Sequence, residues 1–445
     1  VNCGCTYEYI LDALREGLIT EEAIDRSLIR LFTTRFLLGM FEPCEYDEIG
    51  YSEVESKEHI KLAKKAARKS IVLLKNNGIL PLDVTKLNSI GVIGPNANSR
   101  ASLIGNYHGT SSRYVTVLEG IQKVCDKNDI RVHYSDGSHL FKERVENLAF
   151  DDDRISEAVI VAKNSDVVVL VVGLDETLEG EEGDTGNSYA SGDKETLNLP
   201  ASQMRMIETL EAVGKPIILI NMTGSAMDLA FAKNNDTYGA ILQAWYPGCM
   251  GGKAIADILF GKISPSGKLP VTFYNSLDEL PDFEDYSMKG RTYKYMENPA
   301  QYPFGFGLTY ANVEMTGASL ENEENAKSLI KSDNVYDGSI SVRANIKNTS
   351  GIKTDEVVQV YIKNHNSEYA VRNHSLCGFK RVGLDAFEEK EVTINIPSRA
   401  FMVVNEEGKY IQDGDKFTLY VGVSQPDEVS VSLCKVNPLK IEINL

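Results

Sequence analysis

The sequence has no long apolar run and few basic residues. No stretch of it approaches the roughly 20 apolar residues that cross a bilayer, so we expect neither a membrane-spanning helix nor a membrane partner. Lys and Arg number 46 against 64 Asp and Glu, which gives a formal net charge of -18. An acidic surface repels phosphate backbones, and nucleic acid is therefore not an expected partner.

Paired cysteines and histidine clusters are also missing. The seven cysteines include no Cys-x-x-Cys pair, and their odd number argues against a complete disulfide framework. Cys3 and Cys5 are too isolated for a zinc site, and the six histidines have neither triad nor metal spacing. We expect a reducing, cytoplasmic location. Secretion is the alternative, because Val1 is not a natural start and a signal peptide would lie upstream.

The pattern of the remaining residues predicts several domains. The chain has 445 residues, enough for two or three domains. From Ser56, strands and helices alternate, which predicts an α/β fold with a mostly parallel αβα sandwich. After Ala311, polar and apolar residues alternate as in an antiparallel β-sandwich, with strands at 339–348, 356–364, 390–396 and 417–423. The predicted segments are terminal helices at 1–40, a linker at 41–55, the α/β sandwich at 56–285, a crossover at 286–312 and the β-sandwich at 313–445.

The first 40 residues predict two helices and no strand. One helix covers 7–17, with Gly17 at its C-terminal end, and the second begins after an N-cap at Thr20. Two helices cannot bury their apolar faces against each other alone. We therefore expect them to be the tail of a larger domain.

An acidic loop follows the most apolar strand. Residues 167–173 form an unbroken apolar run, and the loop at 174–200 leaves its carboxyl end, where open α/β sheets place their ligand crevices. The loop is rich in acidic residues, among them Glu176, Glu179, Glu181, Glu182, Asp184 and Asp193. Composition alone favours a solvated surface loop. The functional alternative is a catalytic acid and base, whose pKa neighbouring carboxylates would raise.

The stretch at 245–274, WYPGCMGGKAIADILFGKISPSGKLPVTFY, predicts a tight turn at 247–252, a short helix ended by Gly261, and an apolar strand at 269–273. The literal string closely resembles the signature of glycoside hydrolase family 3, in the second domain of its β-glucosidases and β-xylosidases. Further segments are similar to the same family: SIVLLKNNG at 70–78, VIGPNA at 92–97, YPFGFGLTY at 302–310 and DEVVQVY at 355–361. The last of these resembles the family's fibronectin type III-like domain.

The resemblance implies which carboxyl does the chemistry. Xylosidase-like members carry Leu-Asp-Gln-Ser-Ile-Glu-Ala-Glu-Gly, then Asp-Arg and Leu-Pro-x-x-Gln, and this chain has LDETLEGEEGD from 174 and LPASQ from 199. Glu181 matches the family's acid/base glutamate. Glu182 is the second candidate and Glu179 the third. Where the family has Asp-Arg, this chain has Asp184 and Thr185. Because of this difference the alignment does not decide which of the three glutamates is the acid/base.

The same resemblance implies what this chain does not contain. A retaining glycosidase needs two carboxylates, and in the family the nucleophile is an aspartate late in a preceding (β/α)8 barrel. Residues 1–4 resemble the segment just after that aspartate, so 1–40 would be the barrel's last helices. The expected partners are a β-linked glycoside and a barrel chain. The resemblance implies no metal or organic cofactor. It does not decide which sugar is recognised or whether the chain forms a homo-oligomer.

Two other classes of protein compete with this interpretation. A non-catalytic carbohydrate-binding or assembly module could use the same scaffold, although a pure binder has no need for clustered carboxylates. A flavodoxin-like nucleotide protein would require phosphate-binding glycines after a strand, and no complete fingerprint of that kind is present.

Overall fold

The structure is a computed structural model that describes residues 5–181, 194–331 and 338–445. The chain forms two compact units, Val1–His59 and Ile60–Leu445. In the described ranges, no helix combines the length and apolar character that crossing a bilayer requires.

The first unit is helical, as predicted. It contains α1 (Ile10–Arg15), α2 (Glu21–Leu37) and three short 3₁₀ helices: Cys5–Tyr9, Glu45–Glu48 and Tyr51–Glu53. Gly17 ends α1 with a φ of +70°, and Thr20 Oγ1 accepts a hydrogen bond from the Ala23 amide at 3.3 Å. No residue of α2 is buried, so its apolar side chains remain in contact with solvent.

The second unit begins with α/β structure. Its strands are β1 (Val72–Asn76), β2 (Ser89–Ile93), β3 (Arg131–Ser135), β4 (Val167–Gly173), β5 (Ile217–Met222) and β6 (Tyr238–Gln243). The helices of the α/β region are α3 (Lys57–Ser70), whose first three residues belong to the first unit, α4 (Val117–Cys125), α5 (Ile155–Lys163), α6 (Ala201–Glu211), α7 (Ala230–Lys233), α8 (Gly251–Leu259) and α9 (Thr292–Tyr295). The sheet order is β1-β6-β5-β4-β2-β3, parallel except for β1, which pairs antiparallel with β6 at the edge.

Helices cover both faces of this sheet because its central strands are apolar throughout. All seven residues of β4 are buried. Positions 167, 169 and 171 join a cluster with α4 and α8, whereas 168, 170 and 172 join a cluster with α5 and α6. This arrangement confirms the predicted αβα sandwich as a mixed, mostly parallel sheet.

Two predictions for the region after β6 are wrong. Gly251 and Gly252 do not belong to a turn but form the first residues of α8. The strand predicted at 269–273 does not form: its pairing is an isolated bridge between Phe273 and Tyr302. Pro270 lacks the amide hydrogen that a ladder needs, and Leu269 and Phe273 are buried without one, whereas Val271 is exposed.

The β-sandwich follows. Its larger sheet has the order β10-β9-β14-β15, and its smaller sheet β11-β8-β7; both are antiparallel, and a two-stranded ribbon pairs β12 with β13. These elements are β7 (Val313–Leu320), α10 (Glu323–Lys331), β8 (Ser339–Asn348), β9 (Thr354–Asn364), β10 (Ser375–Leu384), β11 (Glu389–Pro397), β12 (Val403–Val404), β13 (Tyr410–Ile411), β14 (Lys416–Gly422), α11 (Glu428–Cys434) and β15 (Leu439–Asn444). The four predicted strands are all present.

A buried polar junction joins the α/β part to the β-sandwich. Lys268 Nζ lies 2.8 Å from Glu356 Oε1, and both side chains are almost fully buried. Next to this pair, Arg381 donates to the Ser266 hydroxyl at 2.5 Å. The predicted fold class is confirmed for the α/β part and for the β-sandwich. The origin of residues 1–40 in a barrel stays a prediction.

Candidate active site

Three loops meet at the carboxyl edge of the sheet, after β4, β5 and β6. A buried amide network fixes the last two. Asn221 Nδ2 donates to Gln243 Oε1 at 2.6 Å and to Thr223 Oγ1 at 3.0 Å, and Gln243 Nε2 donates to the Thr223 carbonyl at 2.9 Å. Because these polar groups are buried, their bonds determine where each strand ends and its loop begins.

Gln203 fixes the start of the acidic loop. Its Oε1 accepts from the Gly173 amide at 3.0 Å, and its Nε2 donates to the Gly173 carbonyl and to the Leu140 carbonyl, both at 2.7 Å. Gln203 belongs to the LPASQ motif that the sequence singled out. Its role is to hold the last residue of β4 in place.

The loop then makes one tight turn. Asp175 Oδ1 accepts from the Thr177 amide at 2.9 Å and from its hydroxyl at 2.6 Å, and the Asp175 carbonyl accepts from the Glu179 amide at 2.9 Å. Leu178 is thereby buried in the core beneath the loop. The turn directs Glu179 towards the neighbouring loops.

Glu179 is held by two donors from those loops. Its Oε2 accepts from the Gly224 amide and from the Tyr246 hydroxyl, each at 2.6 Å. Burial, and next the negative charge of Glu179, raises the pKa of Tyr246 far above its usual range, so the phenol keeps the proton that it donates. Both contacts hold the Glu179 carboxyl in one position.

Lys194 approaches the same turn from the other side. Its Nζ donates to Ser225 Oγ at 2.5 Å and to the Ala226 carbonyl at 2.7 Å. Burial lowers the pKa of Lys194, and the charge of Glu179 opposes that decrease. Sequence reasoning missed this residue, although it is the one basic side chain in 174–200.

Glu181, the first candidate, follows Glu179 by two residues. Its side chain is exposed and makes no hydrogen bond or ion pair with any described residue. Glu182, the second candidate, lies outside the described residues, as do Asp184, Thr185 and Asp193. The structure thus brings Glu179 together with Lys194 and Tyr246, and it leaves Glu181 directed at solvent.

Two further residues shape this edge. Glu176 Oε2 lies 2.9 Å from His108 Nε2, which ties the acidic loop to the loop after β2. Trp245 lies two residues after β6 in the left-handed region, with a φ of +59°, and its Nε1 donates to the Ser70 carbonyl at 3.0 Å. A strained conformation in a bulky residue marks a position that its surroundings determine.

Two parts of the chain match known protein families. Residues 71–310 match the glycosyl hydrolase family 3 C-terminal domain, which is more than half of the chain, and residues 356–425 match the fibronectin type III-like domain. The chain belongs to glycoside hydrolase family 3.

Relatives in family 3 include enzymes named for two sugars. A "Beta-xylosidase" of Formosa agariphila is 31% identical over 434 residues, covering 94% of this chain and 56% of the relative. A "Periplasmic beta-glucosidase" of Salmonella typhimurium is 29% identical over 450 residues, covering 94% of this chain and 56% of the relative. The chain therefore spans a little over half the length of these relatives.

Solved family 3 structures share the fold over the whole chain. A GH3 exo-β-xylosidase in complex with a xylobiose aziridine probe has a TM-score of 0.83 at 25% identity, covering 100% of this chain and 56% of its own. A β-glucosidase of Erythrobacter marinus has a TM-score of 0.79 at 29% identity, covering 99% and 57%. These matches confirm the resemblance that the sequence motifs indicated.

Lys75 has a structural role in this family 3 chain. Lys75 Nζ donates to the carbonyls of Ala232, Lys233 and Asn235, where it satisfies the end of α7. Within the described residues, no group of three or more His, Cys, Asp or Glu side chains could hold a metal ion.

Proposed function

We propose that this chain is the C-terminal part of a retaining, exo-acting β-glycosidase, a β-glucosidase or β-xylosidase, and that it supplies the general acid/base. The observation that carries the proposal is the position of Glu181. It is an exposed carboxyl two residues beyond the anchored Glu179, on the loop that leaves the carboxyl end of β4. Ligand crevices of open α/β sheets lie at that edge.

The chemistry follows the two-carboxylate scheme. An aspartate on the barrel attacks the anomeric carbon while the Glu181 carboxylic acid donates its proton to the departing glycosidic oxygen. The resulting carboxylate then takes a proton from water as the water oxygen attacks the anomeric carbon. The bond between that carbon and the aspartate breaks, and the sugar and the free aspartate carboxylate are released. The two carboxyl groups would stand about 5 to 5.5 Å apart, as retention requires.

A barrel partner is supported by the surface of Val1–His59. Large apolar side chains of this unit are exposed, among them Leu37 at 83% and Phe36 at 65%. A cavity of about 830 Å³ opens along α1 and α2, lined mostly by apolar residues that include Ile24, Leu28 and Leu31. Apolar surface of this extent favours burial by a partner, and the proposed partner is the (β/α)8 barrel that carries the nucleophile.

A cytoplasmic location belongs to the same proposal. Cys44, Cys125, Cys249, Cys377 and Cys434 are free thiols, as a reducing compartment allows. Cell fractionation with an antibody to the chain tests this part independently of activity.

The deciding experiment compares Glu181→Gln with Glu195→Gln in the enzyme that contains this chain together with its barrel. Glu195 is exposed and lies on the same loop, so its variant controls for loss of charge. Glu181→Gln should lower kcat/KM for an unactivated disaccharide by about 10²- to 10⁴-fold. An aryl glycoside with a good leaving group needs no proton, and its glycosylation step should change little.

Three outcomes decide between the candidates. Near-normal disaccharide turnover by Glu181→Gln removes Glu181 from the role, and the same loss in Glu182→Gln instead assigns the role to Glu182. If neither variant affects turnover, the same measurement on Glu179→Gln tests the third candidate, and unchanged turnover in all three variants makes the chain a carbohydrate-binding or assembly module.

A further inference from the structure

We propose that a cleft between the α/β part and the β-sandwich binds a phosphoryl group, either as free phosphate or as part of a phosphorylated sugar. This junction cleft has a volume of about 390 Å³, and its lining includes five basic side chains: Lys65, Arg68, Lys69, Lys262 and Lys353. All five belong to the second unit. Such binding is independent of the acid/base role of Glu181.

The basic side chains come from three separate segments. Lys65, Arg68 and Lys69 lie on the C-terminal half of α3. Lys262 follows α8, and Lys353 immediately precedes β9. Helix C-termini favour basic residues, but that preference explains only Arg68 and Lys69, in the last turn of α3. Because the chain carries a net charge of -18, their meeting at one cleft reverses the local sign of the charge.

One buried carboxylate beside the cleft is shared by three cations. Asp257, whose side chain is 1% exposed, pairs with Arg68 and Lys253. Lys262 Nζ lies 3.9 Å from the same carboxylate. A single negative charge neutralises one of these three cations, so two positive charges remain.

Two further carboxylates add to this imbalance rather than remove it. Asp355 Oδ2 lies 3.1 Å from Lys69 Nζ and 3.8 Å from Arg381 Nη1. Among the described residues that line the cleft, Asp355 is the only acidic one. Lys353 Nζ lies 2.6 Å from Asp385 Oδ1, a pair that is balanced.

Lys65 has no partner to balance it. Its side chain is exposed and makes no hydrogen bond or ion pair with any described residue. Counting Lys65, the groups named above comprise seven basic side chains and three carboxylates, so four positive charges are in excess. Like charges held close together repel, and an anion with more than one negative charge would relieve that repulsion.

Hydrogen bonds across the junction fix the walls of the cleft. Arg381, on β10, donates to the Ser266 hydroxyl at 2.5 Å and to the Lys69 carbonyl at 3.3 Å. Thr354 Oγ1, at the start of β9, donates to Ser264 Oγ at 2.9 Å. The β-sandwich is thereby tied to α3 and to the segment after α8. The cleft is already formed without a ligand, so binding requires little ordering of the protein.

The kind of cation indicates the kind of anion. Four of the five basic side chains are lysines, whose ammonium groups bind phosphate as point charges. The guanidinium of Arg68 is occupied by Asp257, through Nε at 2.9 Å and through Nη2, so its fork is not available to bind a ligand carboxylate bidentately. An excess of four charges also favours a phosphate dianion over a carboxylate with one charge.

The size of the cleft admits more than phosphate alone. Its volume of about 390 Å³ lies within the range of small-molecule pockets, roughly 300 to 1,000 Å³. Free phosphate and the phosphoryl group of a sugar phosphate therefore share one recognition chemistry here, and the experiment distinguishes them.

Isothermal titration calorimetry of the full chain with sodium phosphate near neutral pH tests the proposal. Ionic strength is held constant with sodium chloride, because salt screens exposed charges. Phosphate should bind at one saturable site per chain, and sodium acetate should bind at least about tenfold more weakly. Glucose 6-phosphate distinguishes the two sources: tighter binding than phosphate assigns the cleft to a phosphorylated sugar, and equal or weaker binding assigns it to free phosphate.

Lys65→Gln/Lys262→Gln removes two of the excess charges and keeps the closest partners of Asp257. Its affinity for phosphate should fall about 10- to 100-fold. Without phosphate, its urea midpoint should be no lower than that of wild type, because the substitutions relieve repulsion. The control, Lys127→Gln/Lys163→Gln, changes the net charge equally at two exposed lysines outside the cleft and should bind phosphate like wild type.

The outcomes either support or overturn the assignment. Saturable binding that weakens in Lys65→Gln/Lys262→Gln and is kept in the control supports it. No saturable binding to wild type, or equal affinities in the two double variants, overturns it. Acetate that binds as tightly as phosphate overturns the choice of a phosphoryl group. A urea midpoint below that of the control shows that Lys65 and Lys262 stabilise the fold, and it removes the charge excess on which the site depends.

Discussion

A β-carbon on Gly252 would stand 1.8 Å from the carbonyl oxygen of Thr116. Thr116 caps the N-terminus of α4, where its Oγ1 accepts from the Glu119 amide at 3.3 Å, and Gly252 lies in the first turn of α8. The Gly252 amide also donates to the Val115 carbonyl at 2.9 Å. The first turns of the two helices therefore touch backbone to backbone, directly beside the loop that follows β6.

Gly252→Ala should be strongly destabilising. The clash is with backbone atoms of a capped helix, which cannot rotate away, so we expect a loss of about 3 kcal/mol or more in the free energy of unfolding. Gly109→Ala is the matched control, because its β-carbon would meet nothing within 4 Å, and it should change stability by less than about 0.5 kcal/mol. Urea unfolding of both variants measures the difference. Equal midpoints would contradict the close contact.

The ion pair between Lys268 and Glu356 makes a second prediction. The side chains are 10% and 3% exposed, so Glu356→Ala leaves a buried ammonium without its counter-charge. We expect a loss of about 3 to 5 kcal/mol, most of it recovered in the double variant Lys268→Met/Glu356→Leu. In the exposed pair of Lys409 and Glu407, the substitution Glu407→Ala should cost about 1 kcal/mol or less. If the double variant is no more stable than Glu356→Ala, the stability lost in Glu356→Ala does not come from the uncompensated charge of Lys268.

The parts of the fold that depend on local pattern could be predicted from the sequence. β4 is an unbroken apolar run and is buried on both faces, and the alternation in 339–348 gives β8 with the same bounds. β3 was missed because it is a partly exposed edge strand, Arg-Val-His-Tyr-Ser, with no clean period. α4 was missed because Gly120 interrupts its helical pattern, and the reason for that glycine is the contact with α8, which lies far away in sequence.

The candidate site could be predicted only in part, because it too depends on contacts between residues that are far apart in the sequence. The acidic loop could be identified because it follows β4, and Glu179 and Glu181 could be named within it. Their difference could not be predicted, because the partners of Glu179 are 45 and 67 residues away and follow other strands. The role of Lys194 likewise depends on the turn after β5, which no local pattern connects to it.

Asp257 makes a prediction about acid stability. Its side chain is 1% exposed. Burial raises its pKa, but hydrogen bonds from Lys253 and Arg68 outweigh burial and hold the pKa below its ordinary value of 3.8. A carboxyl with a lowered folded pKa stabilises the protein above its unfolded pKa and loses that contribution as pH falls through the folded value. The stability difference between wild type and Asp257→Asn should therefore shrink below about pH 4, as measured by urea unfolding at a series of pH values. A difference that is constant or grows on acidification contradicts the assignment.

The chain has four Asn-x-Ser/Thr sequences, at Asn221, Asn235, Asn348 and Asn373, and the last two make the last prediction. Asn348 is fully buried, and its Nδ2 donates to the Ile352 carbonyl at 2.8 Å and the Asp385 carbonyl at 2.9 Å. Asn373 Nδ2 likewise donates to two carbonyls, at 3.0 and 2.9 Å. A glycan would be attached to that same nitrogen, where it would break these bonds and require space that Asn348 lacks. Folded protein secreted from a yeast host should therefore carry no glycan at either asparagine in peptide mass spectrometry. The measurement uses the fraction of the protein that is monodisperse and unfolds cooperatively. A glycopeptide from either position in that fraction would show that the Nδ2 hydrogen bonds of Asn348 or Asn373 are not needed for the fold.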